Sequence, residues 1–237
     1  MSPKDYFKEY WKCIDTKELN YIMDKLKILY KTSSLCPHFK DVFKAFELCP
    51  YNKLTVVMLS QDPYPQKDVA TGLAFANKKD TTELSPSLEI IKEAVINFEI
   101  PHNYITFVPD LESWANQGVL LLNSALTVEE GKIGSHINMW RPFISKFLYN
   151  LSCFNNGLIY ILFGKQAQSF KYYIGDRGHI IEVEHPAYYA RIKQNMPYKV
   201  FTDINKLLKL YWDTEITWYQ EIKFNDDNGK EIYSYKD

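Results

Sequence analysis

The sequence predicts an α/β protein, a three-layer α/β/α arrangement around a central four-stranded, mostly parallel, twisted sheet. Two observations carry this expectation. Four short apolar runs, Leu54 to Leu59, Val119 to Leu122, Leu158 to Phe163 and His179 to Val183, are together rich in β-branched residues and too brief to span a membrane. Helical patterns lie between them. The order strand, helix, strand, helix implies a parallel sheet with helices on both faces.

The elements follow in order. Tyr6, Phe7, Tyr10 and Trp11 stand at spacings of three and four, and Leu19, Ile22, Met23, Leu26, Leu29 and Tyr30 repeat the pattern, so residues 1–50 read as a helical preface. After the first strand, Ser85 as N-cap and Pro86 at N1 open a helix carrying Leu88, Ile91 and Val95. Ile137 to Leu151 forms another. A third, with Phe201, Ile204, Leu207, Leu208 and Tyr211, runs on from Tyr198. Residues 1–220 are expected to form one domain. The segment 221–237 is a polar C-terminal tail in which Asp226-Asp227-Asn228-Gly229 marks a turn, either of a small hairpin or of a loose end.

A chain of 237 residues accommodates one large domain with a substantial core. Apolar residues at 46% and charged residues at 24% exclude extensive disorder and a fibrous repeat. The net charge of −1 predicts no broad electrostatic partner, so any basic face must be local. The four cysteines, Cys13, Cys36, Cys49 and Cys153, lack CxxC spacing and read as reduced thiols of a cytoplasm-like compartment. Cys36, His38 and Cys49 suggest a metal corner, but a fourth ligand is missing and Pro37 intervenes, so packing or solvent exposure accounts for them better. The chain starts without a secretory pattern and has no run of 18 apolar residues. A cytoplasmic, non-membrane protein is expected, with a nuclear location open in a eukaryotic or viral host.

In open parallel sheets, ligands bind beyond the carboxyl ends of the strands. The four runs are followed by Ser60-Gln61-Asp62, Asn123-Ser124, Gly164-Lys165-Gln166 and Glu184-His185-Pro186. Each group alone is ordinary, because loops are solvated: Asp62 could cap a helix, Asn123 could satisfy turn amides, and His185 could be a hydrogen-bonded histidine. Together they bring a carboxylate, an amide, a flexible basic turn and an imidazole to one edge.

Gln61-Asp62-Pro63-Tyr64, Leu120-Leu-Leu-Asn123 and His185-Pro186 occur in that order. With Gly72-Leu-Ala-Phe75, Ser85-Pro-Ser-Leu88, Leu126-Thr-Val128, Ser135-His136, Phe163-Gly164 and Ile216-Thr-Trp218, the series resembles the uracil-DNA glycosylase family from about Thr55 to about Trp218. The resemblance implies hydrolysis of the bond between uracil and deoxyribose, without a metal or organic cofactor. Its implied roles fit the residue types. Asp62 stabilises the sugar cation and positions water, and His185 donates to O2 of the departing base. Phe75 stacks on the uracil face. Asn123 meets O4 and N3–H with one amide, a pattern that cytosine reverses. Tyr64 crowds C5 and excludes the thymine methyl. Gln61 lends its backbone N–H to the base or to the water. The prolines beside Asp62 and Tyr64 stiffen the turn that aims the carboxylate.

The implied partner is uracil-containing DNA, single- or double-stranded, bound by a monomer, and a proteinaceous glycosylase inhibitor could cover the same face. Ser85, Pro86 and Ser87, together with Gly164 and Lys165, are the implied phosphate clamps, and Pro186 and Ala187 lead into a loop that enters the duplex. Arg191, Lys193 and Lys132 serve equally well as DNA contacts or as solvated surface charges. This sequence departs from the family pattern at Ser60, where glycine is usual, at Pro65, where histidine is common, and over Gln66 to Thr71. The wedge position carries Tyr188-Tyr189 in place of leucine, and the offset favours Tyr189. Two rivals remain: a DNA-binding replication accessory on the same fold, and a relaxed mismatch glycosylase, against which Tyr64 and Asp62 both argue.

Overall fold

A computed structural model describes residues 3–96, 105–221, 224–225 and 231–233. Four parallel strands form the central sheet, in the order Val119–Asn123, Val56–Ser60, Ile159–Phe163, His179–Val183. The expected runs are thus found within two residues at each end, and all four strands are parallel. The first three expose no residue, which explains why they read as continuous apolar segments. His179–Val183 is an edge strand and mostly half-buried, so it tolerates His179 and Glu182.

The strand order sets the position of the site. From Val56–Ser60 the chain crosses to Val119–Asn123 on one side, then to Ile159–Phe163 on the other. The direction of winding therefore reverses at the first strand, which opens a crevice at its carboxyl end. Register places Ser60 opposite Asn123 and Phe163 opposite Val183, so the strand ends come level.

Helices cover the sheet. Thr16–Thr32 starts at Asp15, whose carboxylate accepts from the N–H groups of Lys17 and Glu18, and it buries Leu19, Ile22 and Leu26. Ile137–Phe154 buries Trp140, Phe143, Ile144, Phe147, Leu148 and Leu151. Lys199–Trp212 buries Val200, Phe201, Ile204 and Leu208. Pro86–Ile96 begins at the expected proline, and Ser85 precedes it with its carbonyl accepting from Leu88 N–H and Glu89 N–H. In the preface, Phe7, Tyr10, Phe43 and Phe46 form an aromatic cluster that meets Phe147 of the Ile137–Phe154 helix and so joins the main core.

Several small elements lie outside the sequence expectation. Leu35–Cys36 pairs antiparallel with Val128–Glu129, and Ile105–Thr106 with Gln220–Glu221, a strand that straddles the boundary expected at residue 220. Two-residue ladders carry no readable period. In the tail, Phe224–Asn225 pairs with Glu231–Tyr233, the hairpin of the two alternatives, while its expected turn at 226–229 lies outside the described residues. Cys13, Cys36 and Cys49 are buried free thiols, and Cys153 is an exposed one. Cys49 sits in the main core, and His38 Nε2 lies 3.0 Å from Asp68 Oδ1, so the three residues of the suspected metal corner each have packing or pairing roles. Among the described residues no helix is long and apolar enough to cross a membrane.

Candidate active site

At the end of the first strand the backbone is tied to the second. Ser124 N–H donates to the Ser60 carbonyl at 2.9 Å, and the Gln61 carbonyl accepts from Ala125 N–H at 2.9 Å and from the Ser124 hydroxyl at 2.8 Å. This junction projects Asp62 over the sheet edge. One carboxylate oxygen accepts from the Gln61 amide at 3.1 Å, and the other accepts from the backbone N–H of Gly134. Burial pushes the Asp62 carboxyl above its ordinary 3.8, and these two donors pull it partly back.

Pro63 and Pro65 restrict the turn on either side of Tyr64. The Tyr64 hydroxyl donates to the Phe75 carbonyl at 3.0 Å. Phe75 itself has φ of 67°, a left-handed conformation that costs a bulky residue about 1–3 kcal/mol. Surrounding contacts hold it there: the Tyr64 bond, the Ala74 N–H bond to the Leu121 carbonyl at 3.1 Å, and an edge-on contact with Phe163 at 4.9 Å. The ring also lies 5.7 Å from the imidazole of His185.

Asn123 ends the second strand and is 5% exposed. Among the described residues its side-chain oxygen has no hydrogen-bond partner, an unsatisfied acceptor in a buried setting. His185 is the N-cap of the Pro186–Ile192 helix, and its Nδ1 accepts from Ala187 N–H at 3.2 Å. With Nδ1 serving as acceptor, the network assigns the ring proton to Nε2, which lies 3.2 Å from the Ser60 hydroxyl. Burial lowers the His185 pKa, which favours this neutral form. Gly164, at φ of 78°, lets the imidazole lie close: a Cβ there would stand 2.9 Å from His185 Cβ. Gly164→Ala is accordingly expected to lower the turnover of this site by about tenfold or more through a misplaced imidazole. A normal turnover number in the variant would show that the close approach is incidental.

One cavity of about 340 Å³ is lined by Gln61, Asp62, Tyr64, Phe75, Asn123 and His185, the six residues nominated from sequence. Pro86, Ser87 and Ala187 also line it. A neighbouring depression of about 470 Å³ shares His185 and Ala187 and adds Gly164, Lys165, Tyr188 and Arg191, with the guanidinium 5.7 Å over the Tyr188 ring. Ser85 is engaged locally: Asn77 donates to its hydroxyl and accepts from its N–H, each at 2.7 Å. Pro186 is buried at the start of its helix. Lys132 pairs with Glu129, and Lys193 is an exposed residue just past the helix end. Of the two wedge candidates, Tyr188 is 40% exposed, whereas Tyr189 is half-buried and packs on the main core.

Three contributors escaped the sequence reading. Gly134 acts through its N–H alone, which no side-chain pattern can signal. Ser60 drew attention only as a departure, yet its hydroxyl meets His185. Thr127, His136 and Trp140 form a buried chain: Trp140 Nε1 donates to the Thr127 hydroxyl at 2.8 Å, which lies 2.9 Å from His136 Nδ1. This chain closes the loop that presents Gly134. Thr127 and His136 stood in the motif series without a role.

Comparison with known proteins agrees with the geometry. The model of the "Uracil DNA glycosylase superfamily" matches residues 46–209. The chain belongs to the uracil-DNA glycosylase superfamily. Uracil-DNA glycosylase of Buchnera aphidicola subsp. Acyrthosiphon pisum (strain Tuc7) is 36% identical over 217 residues, covering 88% of this chain and 97% of the relative. That of Mycoplasmopsis pulmonis is 35% identical over 219 residues, covering 88% and 96%. Among solved structures of the superfamily, mimivirus UNG Y322F in complex with UGI superposes with a TM-score of 0.76 at 23% identity, covering 92% of this chain and 88% of that one. Wild-type UNG from Nitratifractor salsuginis gives 0.60 at 21% identity, covering 85% and 89%. These structural likenesses support the superfamily fold, a three-layer α/β/α architecture.

Proposed function

We infer that the protein is a monofunctional uracil-DNA glycosylase, which hydrolyses the N-glycosidic bond between uracil and deoxyribose and leaves an abasic site for base excision repair. One observation carries this reading: a carboxylate, an unsatisfied amide, an imidazole and an aromatic face from three strand ends and the loop at Phe75 meet in one cavity.

The target nucleotide leaves the duplex at a cost of about a few kcal/mol. Phe75 stacks on the base. Asn123 accepts from N3–H through its unsatisfied oxygen and donates to O4 through its nitrogen; cytosine, with the opposite pattern, would leave both groups unpaired. Tyr64 closes the C5 side. As the bond to C1′ lengthens, positive charge grows on the sugar and negative charge on the base. Asp62 faces the first and takes the proton of the attacking water, while His185 Nε2–H turns from Ser60 to O2 of the base. The neutral tautomer suffices, because a donor aimed at a developing anion stabilises it without transferring a proton.

DNA is held by the loops around the cavity: Ser85, Pro86 and Ser87 on one side, Gly164, Lys165 and Arg191 on the other. The exposure of Tyr188 supports it as the ring that fills the vacated stack, with Tyr189 as its half-buried support. We take residues 1–220 as the catalytic domain, acting as a monomer, with 221–237 appended. The buried free thiols support a reducing compartment, cytoplasmic or nuclear. Two related structures described as complexes with UGI support a protein partner as an alternative occupant of the DNA face.

An oligonucleotide with one deoxyuridine, incubated with the protein and then treated with alkali, is expected to break at that position in both single- and double-stranded form. Binding to the DNA without any break would favour the replication-accessory reading.

A further inference from the structure

Behind the active-site turn lies a second apolar cluster, separate from the main core. It consists of Cys36, Ala70 and Val128, which are 4%, 8% and 0% exposed, and the partly buried ring packed against it is that of Tyr64. Its members come from the helical preface, from the segment after the active-site turn and from the loop after the second strand. They meet because Leu35–Cys36 pairs with Val128–Glu129, with Cys36 directly opposite Val128.

The same small ladder also grips the turn. Cys36 Sγ donates to the Gln66 carbonyl at 3.5 Å, and Gly131 N–H donates to the Pro65 carbonyl at 2.9 Å. On the ladder's other side, Glu130 N–H reaches the Ser34 carbonyl at 2.9 Å. The Tyr64 ring is thus fixed at its tip by the Phe75 carbonyl and blocked from behind by Cys36, Ala70 and Val128. Ala70 lines the cavity as well, so the cluster lies directly beside the space the base occupies. A ring that must make room for a methyl group at C5 meets this cluster, against which it packs.

We propose that Cys36 and Val128 are specificity-determining positioning residues, which hold the Tyr64 ring forward and thereby set how large a C5 substituent the site accepts. The proposal rests on the reading of Tyr64 as the C5 gate. Removing the two γ-methyls of Val128, or the sulfur of Cys36, leaves a void of about two methyl groups or one, respectively, behind the ring. Adding a methylene at Val128 pushes the ring the other way. Neither side chain lines the cavity, so uracil itself should be handled as before.

The experiment measures kcat and KM for matched oligonucleotides carrying deoxyuridine, 5-fluorodeoxyuridine or thymidine. Val128→Ala and Cys36→Ala are expected to keep deoxyuridine turnover within about threefold of wild type while raising the thymine-to-uracil ratio of kcat/KM by about tenfold or more. Val128→Ile should lower the 5-fluorouracil-to-uracil ratio. Ile22→Val, in the main core, serves as the control for lost stability, and Tyr64→Ala as the control for the gate. If Tyr64→Ala releases thymine but both cluster variants keep the wild-type ratio, the positioning role is wrong and the gate stands. If Tyr64→Ala releases no thymine, the gate reading falls and takes the proposal with it. A ratio that moves equally in Ile22→Val would also overturn it, since the effect would then follow stability rather than position.

Discussion

Asp62→Asn is expected to slow single-turnover release of uracil by about 10³-fold while leaving the melting temperature at pH 7 unchanged or higher. In the proposed mechanism the substitution removes the negative charge opposite the developing sugar cation and the acceptor for the water proton. The stability does not fall. In the native state the Asp62 carboxyl titrates above 3.8 because of burial. As the pH drops through that raised value, the native state takes up a proton before the unfolded chain does, so stability increases on acidification through this window. Above it the ionised, buried carboxylate is a standing cost. Asparagine removes that cost, still offers an oxygen to Gly134 N–H, and needs only a flip of the Gln61 amide to satisfy its nitrogen. The outcome is read by quench-flow on a deoxyuridine oligonucleotide and by calorimetry. A near-normal rate would remove Asp62 from the chemistry. A markedly lower melting temperature would make it a structural tie for the Gly134 loop instead.

His185→Leu should lose about 10²–10³-fold in the same assay, the scale of a deleted donor to a developing oxyanion. It also loses the acceptor that caps the Pro186–Ile192 helix, worth about 1 kcal/mol, so His185→Asn, which retains a capping oxygen, is the companion variant. Both should be slow, and only the leucine variant should melt earlier. The pH profile supplies a separate check. Burial holds the His185 pKa below 6.5, so the wild-type rate should rise with the ionisation of Asp62 and then stay level as the pH is raised through 6.5. A fall across that point would mean that the imidazolium is the working form.

Much of the fold was legible because burial leaves a local imprint. Val56–Ser60, Val119–Asn123 and Ile159–Phe163 are covered on both faces, and their continuous apolar character announces this in the sequence. The residues after each strand could be inspected for chemistry because sheet geometry puts strand ends at ligand sites. The rest was illegible for particular reasons. Gly134 contributes only a backbone N–H, and the ladder at Leu35–Cys36 is shorter than any detectable period. The offset along the chain favoured Tyr189 as a wedge, and which of the two tyrosines faces outward was illegible, because exposure follows from how the Pro186–Ile192 helix sits on the core; Tyr188 is 40% exposed and Tyr189 is half-buried.

By itself the sequence determined the four strands of the central sheet, the main helices and the chemically able side chains that follow the strands, since hydrophobic period and residue type are properties of neighbours along the chain. Tertiary structure alone decided the strand order that opens the crevice at Ser60, the Gly134 amide on Asp62, the Ser60 hydroxyl beside His185 Nε2, and the cluster behind Tyr64. Each of these depends on groups far apart in the chain meeting at hydrogen-bond or van der Waals distance. Such meetings are set by the packing of the whole domain, and no local pattern records them.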